Sequence, residues 1–334
     1  MQKDRWPIMI VTKRFFFSVL RLSIAFGILY YFLSKIPLSE IMASIISAKV
    51  NYVIIAFIIS ILSQFILAYR LKFLTDRQEI SLSTFQLLEI NLTTVFYGLF
   101  LPGGNLTGGA IRFYKLSRPS NKRVEALASI AFDRIAATIA LCVIGVLFWL
   151  FDLPPDSGYI GLGMIIALGG LLILYIFLFY KKIMFSLPRY FELTNLPLFS
   201  KKLNDLFISL NQYKNLSLSS LFFIFMLSII TQLLGILIYF LLAMSLGIDI
   251  SLITIGWIRS AVIVMTMLPI SLSGLGVREG VLLFLLKPYG ILGEETLALS
   301  FLVFGATLLL IGAIGGLLEG RKLFLPSDNE GGML

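Results

Sequence analysis

The residues able to do chemistry in this chain are few, and they sit among long apolar runs. Arg112, Asp133, Arg134, Arg278 and Glu279 are the principal ones, with Glu89 and Arg259 nearby. Two arginines belong to Gly-rich or Ser-rich motifs: LPGGNLTGGAIR at 101–112 and LPISLSGLGVRE at 268–279. Each motif follows an apolar run, opens on Leu-Pro and passes through small residues to an arginine. Pro and paired Gly interrupt helical hydrogen bonding and free backbone N–H and C=O groups, which membranes tolerate only inside protein or beside a wet cavity. A half-helix restarting after such a break aims its N–H groups and positive dipole end inward, where an anion is stabilised. The candidate anion-binding set is therefore Gly103, Gly104, Gly108, Gly109 and Arg112 from the first break. Ser271, Ser273, Gly274, Gly276 and Arg278 come from the second, with Asp133, Arg134 and Glu279 beside them. The structural alternative is that the glycines only permit close helix packing.

Other chemistries are restricted by composition. The chain contains no His, which removes the commonest general base and proton relay. Its single Cys, Cys142, excludes an internal disulfide and, without His, any His/Cys zinc site. Neither GGNLTGG nor SGLG ends in the Lys-Ser/Thr of a phosphate-binding nucleotide loop, and no cofactor is expected. Acid–base catalysis would need Asp133, Glu279 or Glu89 to converge on one substrate atom, and no spacing guarantees that.

The elements that must position these residues lie in lipid. Of 334 residues 58% are hydrophobic and 13% charged, against about half and a quarter in soluble domains. The net charge of +9 resides in short loops, where anionic lipid and orientation explain it better than nucleic acid does. Runs at 15–33, 52–69, 126–150, 159–180, 219–246 and 296–318 approach or exceed the ~20 residues that cross the hydrocarbon. The first lacks a small-residue cleavage site and is expected to remain as a span.

Loop charge then sets the architecture. Lys3, Arg5, Lys13 and Arg14 place the N-terminus in the cytoplasm, and two crossings return the chain to Arg70, Lys72 and Arg77. A full crossing by 82–101 would put Arg112, Lys115, Arg118, Lys122 and Arg123 outside. Entry and return of 82–111 on the cytoplasmic face removes that conflict. The same logic makes 251–286 a hairpin entering from outside, and Arg321 and Lys322 place the C-terminus inside. The expected fold is an all-α polytopic membrane protein, 1–334 as one domain, with about six full spans and two broken, re-entrant hairpins. Three full spans separate the breaks, which predicts an inverted repeat. Segments 38–48 and 199–213 are amphipathic, lying in the interface or packing on the spans.

Asp133 and Arg134 fall about 11 Å into their span at 1.5 Å per residue. A charge at the bilayer centre costs about 3 kcal/mol, so such residues face partners or a cavity. Adjacent helical positions point apart, so Asp133 is expected to pair with one motif arginine and Glu279 with another. Gln64, Asn91 and Gln232 read as interhelical hydrogen-bonding groups, and Tyr69-Arg70 as an interfacial anchor.

On YRLKFLT (69–75), PGGNLTGGAIR (102–112), FDRIAAT (132–138) and PISLSGLGVREG (269–280), the chain resembles the lysylphosphatidylglycerol synthase transmembrane family. Its closing span, ending in Glu319 and Arg321, adds to the match. The resemblance implies a flippase-like domain of a bacterial or archaeal cytoplasmic membrane that moves aminoacylated phospholipids or, in some branches, isoprenoid, hopanoid or glycolipid cargo, while the motif arginines point to an anionic headgroup. With Leu334 soon after the last span, no synthase domain and no aminoacyl transfer are expected, and the chain is expected not to be an enzyme. The partners expected are lipids, with no nucleic acid. A homo-oligomer or an envelope-synthesis enzyme as partner stays open. An intramembrane headgroup-modifying enzyme and a non-transporting scaffold are the rival readings.

Overall fold

A computed structural model describes residues 36–101, 104–152, 216–267 and 274–324, with scattered positions at 30–34, 159–170 and 205–213. The spans expected at 15–33 and 159–180 and the amphipathic segment 199–213 lie largely outside the described residues. Within them the chain is all-helical.

The helices are α1 (Leu38–Ile46), α2 (Val50–Arg77), α3 (Thr84–Phe100), α4 (Asn105–Ser117) and α5 (Arg123–Asp152). Then come α6 (Leu218–Ser245), α7 (Leu252–Met267), α8 (Val277–Leu286), α9 (Gly293–Val303) and α10 (Leu310–Phe324). A π-helical segment, Phe304–Leu309, joins α9 to α10, so that Gly293–Arg321 is one apolar helix. Among the described residues, that helix, α2, α5 and α6 are the four long and apolar enough to cross a membrane. Large aliphatic and aromatic side chains point outward, including Ile54, Ile58 and Phe65 of α2 and Phe222 and Leu233 of α6. Lipid is the solvent in which such a surface is stable.

Hydropathy placed the span of α2 at 52–69, and the helix runs eight residues further, to Arg77. Arg70 and Lys72, expected in a loop, are helical because Arg70 is buried and paired rather than solvated. Helix α1 packs Ile41 against Leu297 and Ala298 of α9, while Leu38, Met42 and Ile46 stay exposed. The amphipathic pattern of 38–48 thus covers the protein's own spans on one side.

The element order long, short, break, short, long occurs twice: α2 to α5, and α6 to α10. Packing is reciprocal between the two units. Helix α2 lies along α6, the closing helix α10 of the second unit packs on α3, and the closing helix α5 of the first packs on α7. Glycine permits both exchanges. A Cβ on Gly256 would collide with the Phe148 ring of α5, and one on Gly315 would strike the Leu92 carbonyl of α3. Because backbone cannot yield as a flexible side chain does, Gly315→Val is expected to cost about 1–3 kcal/mol by overpacking. Unfolding in mixed micelles measures it, and a variant as stable as the wild type would contradict the close approach.

Each broken segment folds back on itself. Helix α3 opens with a capping box: Gln86 N–H donates to Ser83 Oγ (3.2 Å) and Ser83 N–H to Gln86 Oε1 (2.8 Å). Gly104, at φ 55°, turns the chain into α4, a conformation glycine adopts without steric cost. Helix α4 returns beside α3 so closely that a Cβ on Gly108 would lie 2.7 Å from the Thr94 carbonyl oxygen. At the feet of this hairpin Lys122 Nζ donates to Glu79 Oε2 (2.7 Å), and its charge holds the exposed Glu79 carboxyl below the usual carboxylate range. Gly276, at φ 82°, similarly opens α8. Both feet of the second hairpin converge on Asp152 of α5. Its carboxylate accepts from Thr254 Oγ1 (2.9 Å), Trp257 Nε1 (2.7 Å) and Tyr289 OH (2.6 Å). Burial, with the Asp152 hydrogen bond, pushes the Tyr289 phenol above its usual pKa.

Candidate functional site: two arginine-lined cavities

Two cavities lie beside the two broken hairpins. The first, about 500 Å3, is lined by Gly108, Gly109 and Arg112 of α4, Thr94 and Gly98 of α3, and Arg134 of α5. The second, about 280 Å3, is lined by Arg259 of α7, Arg278 of α8, Gln64 of α2 and Tyr239 of α6, among others. Thr266 of α7 and Leu308 of the π-helical segment line both, so these two side chains stand in the wall between the cavities. A π-bulge replaces regular i→i+4 bonding locally and is frequent at functional positions. Among the described residues no carboxylate lines either cavity.

The carboxylates stand behind the arginines. Asp133 is buried on α5, where Oδ1 accepts from Arg70 Nε (2.8 Å) and Oδ2 from Arg112 Nη2 (3.3 Å). Arg70 also donates through Nη1 to Ser228 Oγ of α6 (2.9 Å), so this cluster fastens the α2–α6 contact as well. Glu279 is fully buried and has both oxygens occupied. Oε2 accepts from the Gly276 N–H (2.7 Å), so the start of α8 is capped by the protein's own carboxylate. Oε1 accepts from Arg278 Nη2 (2.6 Å) and Nε (3.1 Å) and from Ser300 Oγ (2.7 Å). Arg278 also lies over the Phe304 ring, 5.4 Å from its centroid, at the start of the π-helical segment.

Asp133 does pair with the motif arginine Arg112, and Glu279 with Arg278, while Arg134 points away from its neighbour and is exposed. Of the glycines singled out, Gly108 and Gly109 line the first cavity. Gly104, Gly274 and Gly276 form the turns. Gly103, Ser271 and Ser273 lie outside the described residues. Gln232 is the interhelical bridge its sequence context predicts, donating to the Ala137 carbonyl (3.2 Å) and accepting from Arg259 (3.1 Å).

Arg70 is the charged residue whose importance hydropathy hid. Arg70 reads as an interfacial anchor because it ends an apolar run, yet its side chain is 1% exposed. A signal was present: Ser60, Ser63, Gln64 and Arg70 recur at helical spacing, a polar stripe on an apolar span. Arg259 forms no salt bridge among the described residues, and its Nε is buried without a hydrogen-bond partner. Arg112 Nε is unpartnered in the same way.

The fold and its interior arginines define an integral membrane protein of helices, broken at two places, with positively charged cavities at the breaks. Residues 18–315 match the lysylphosphatidylglycerol synthase TM region, and the chain belongs to that family. The family relationship, anticipated from the Gly-rich motifs, ties the protein to membrane lipids. Among curated proteins none matches the chain.

Proposed function

We propose that the protein is a flippase or transporter that carries a lipid with an anionic or polar headgroup across the cytoplasmic membrane without ATP hydrolysis. The observation that carries this reading is that two arginine-lined cavities lie on either side of a shared wall at Thr266 and Leu308. A headgroup enters one cavity, passes the Thr266–Leu308 constriction and reaches the other, while its tails remain in lipid. The reciprocal packing of the two units and the folding back of each hairpin support an inverted repeat with re-entrant arms. In that arrangement the hairpins approach from opposite faces, as the loop charges require with both termini cytoplasmic. The backbone and arginines at the breaks offset the headgroup's lost hydration. The intramembrane-enzyme reading is disfavoured because Asp133 and Glu279 spend their oxygens inside the protein and line neither cavity.

Arg112→Gln and Arg134→Gln test the first cavity. Each variant, purified and reconstituted, is expected to move fluorescent phosphatidylglycerol between leaflets about tenfold more slowly than the wild type. That corresponds to losing about 1.4 kcal/mol of headgroup stabilisation. Wild-type rates in both would contradict the assignment.

A further inference from the structure

We propose that the 280 Å3 cavity is a phosphate subsite centred on Arg259, and that it selects lipids whose headgroup bears net negative charge and no ammonium group. The inference names the cargo of the site described above and rests on the transport reading. Arg259 is held in place by the protein but not neutralised by it. Its Nη1 donates to Gln232 Oε1 (3.1 Å), and its guanidinium lies 5.9 Å from the centroid of the Tyr239 ring. On α6, Gly235 leaves the space that the guanidinium fills, since a Cβ there would collide with it. The Nε is buried with no partner, and no carboxylate among the described residues pairs with the side chain.

A partly buried guanidinium whose Nε is enclosed without a hydrogen-bond partner and which faces no carboxylate among the described residues is costly unless an anion completes it, and a phosphate matches its donor fork. Ser60, Ser63, Gln64 and Thr231 supply neutral hydrogen-bonding groups on the same wall. Arg278 approaches from α8 already balanced by Glu279. The cavity therefore carries close to one uncompensated positive charge, which suits a phosphate ester.

The first cavity is no more hospitable to cations. Arg70 and Arg112 share the single Asp133, and Arg134 adds a further charge. A headgroup carrying an ammonium would find no carboxylate among the described residues lining either cavity and would meet like charge in both. Aminoacylated lipids such as lysylphosphatidylglycerol, net cationic, are thus excluded by electrostatics, whereas phosphatidylglycerol is accepted.

Purified full-length protein in a neutral detergent is titrated with short-chain phosphatidylglycerol and, separately, short-chain lysylphosphatidylglycerol, with binding followed by thermal stabilisation and native mass spectrometry. Phosphatidylglycerol is expected to bind at least about tenfold more tightly, and Arg259→Gln to lose that preference, with Arg259→Lys keeping part of it. Equal or tighter binding of the lysyl lipid to the wild type overturns the proposal, whether or not the variants fold. Undiminished phosphatidylglycerol binding by a folded Arg259→Gln protein overturns the assignment of the subsite. Arg259-dependent, anion-selective binding by a protein that moves no lipid in vesicles upholds the subsite and defeats the transport reading instead.

Discussion

Asp133→Asn is expected to destabilise the protein by about 3–5 kcal/mol, the cost of removing one partner from a buried ion cluster. The carboxylate is the only acidic group paired with Arg70 and Arg112 among the described residues, and both arginines are buried. The amide cannot balance either charge. Equilibrium unfolding in mixed micelles measures the loss. Because Arg70 also bonds Ser228, the damage is expected to reach the α2–α6 contact and not only the first hairpin. The double variant Asp133→Leu/Arg70→Leu is expected to recover stability relative to Asp133→Leu alone, with a coupling of about 1 kcal/mol or more. Strict additivity, or an Asp133→Asn protein within about 0.5 kcal/mol of the wild type, would show that the arginines do not depend on Asp133.

The second large effect concerns the constriction. Leu308 projects from the π-helical segment, and with Thr266 it borders both cavities. Leu308→Trp places a larger, rigid ring at the junction while leaving every arginine of both cavities unchanged. The variant is expected to bind phosphatidylglycerol like the wild type but to move it at least about tenfold more slowly, equivalent to a barrier raised by about 1.4 kcal/mol. Leu308→Ala is expected to relax the barrier. If Leu308→Trp moves lipid at the wild-type rate, the headgroup does not travel through this junction.

Much of the architecture was legible in the sequence because lipid imposes simple rules. Apolar length locates helices such as α5 and α6 to within a few residues, and Leu-Pro followed by small residues locates both breaks. The asymmetry of Lys and Arg between loops predicts that 82–111 enters and leaves on one face, and in the structure α3 and α4 pack against each other. Pairing was legible only in part. Asp133 had to find a cation in a low-dielectric interior, and Arg112 was the nearer in sequence of the two motif arginines. That Arg70 is the closer partner depends on the α2–α5 contact, which no local pattern encodes. Arg259 was visible as a charge beside the second break, but its significance lies in the missing carboxylate among the described residues and in the space left by Gly235, both properties of packing. The expected anion site at the start of α8 shows the reverse error of local reasoning. A free helix N-terminus attracts an anion, and three residues on the chain supplies its own in Glu279.

The measurement that bears most directly on lipid movement is a leaflet-exchange time course in sealed proteoliposomes containing acyl-labelled phosphatidylglycerol, with a membrane-impermeant quencher added outside and no nucleotide present. The expected result is that quenching proceeds beyond the outer-leaflet fraction at a rate proportional to protein, while mass spectrometry finds the lipid chemically unchanged. Quenching that stops at the outer-leaflet fraction, as in protein-free vesicles, or a lipid recovered with an altered headgroup, would contradict transport through the two arginine-lined cavities.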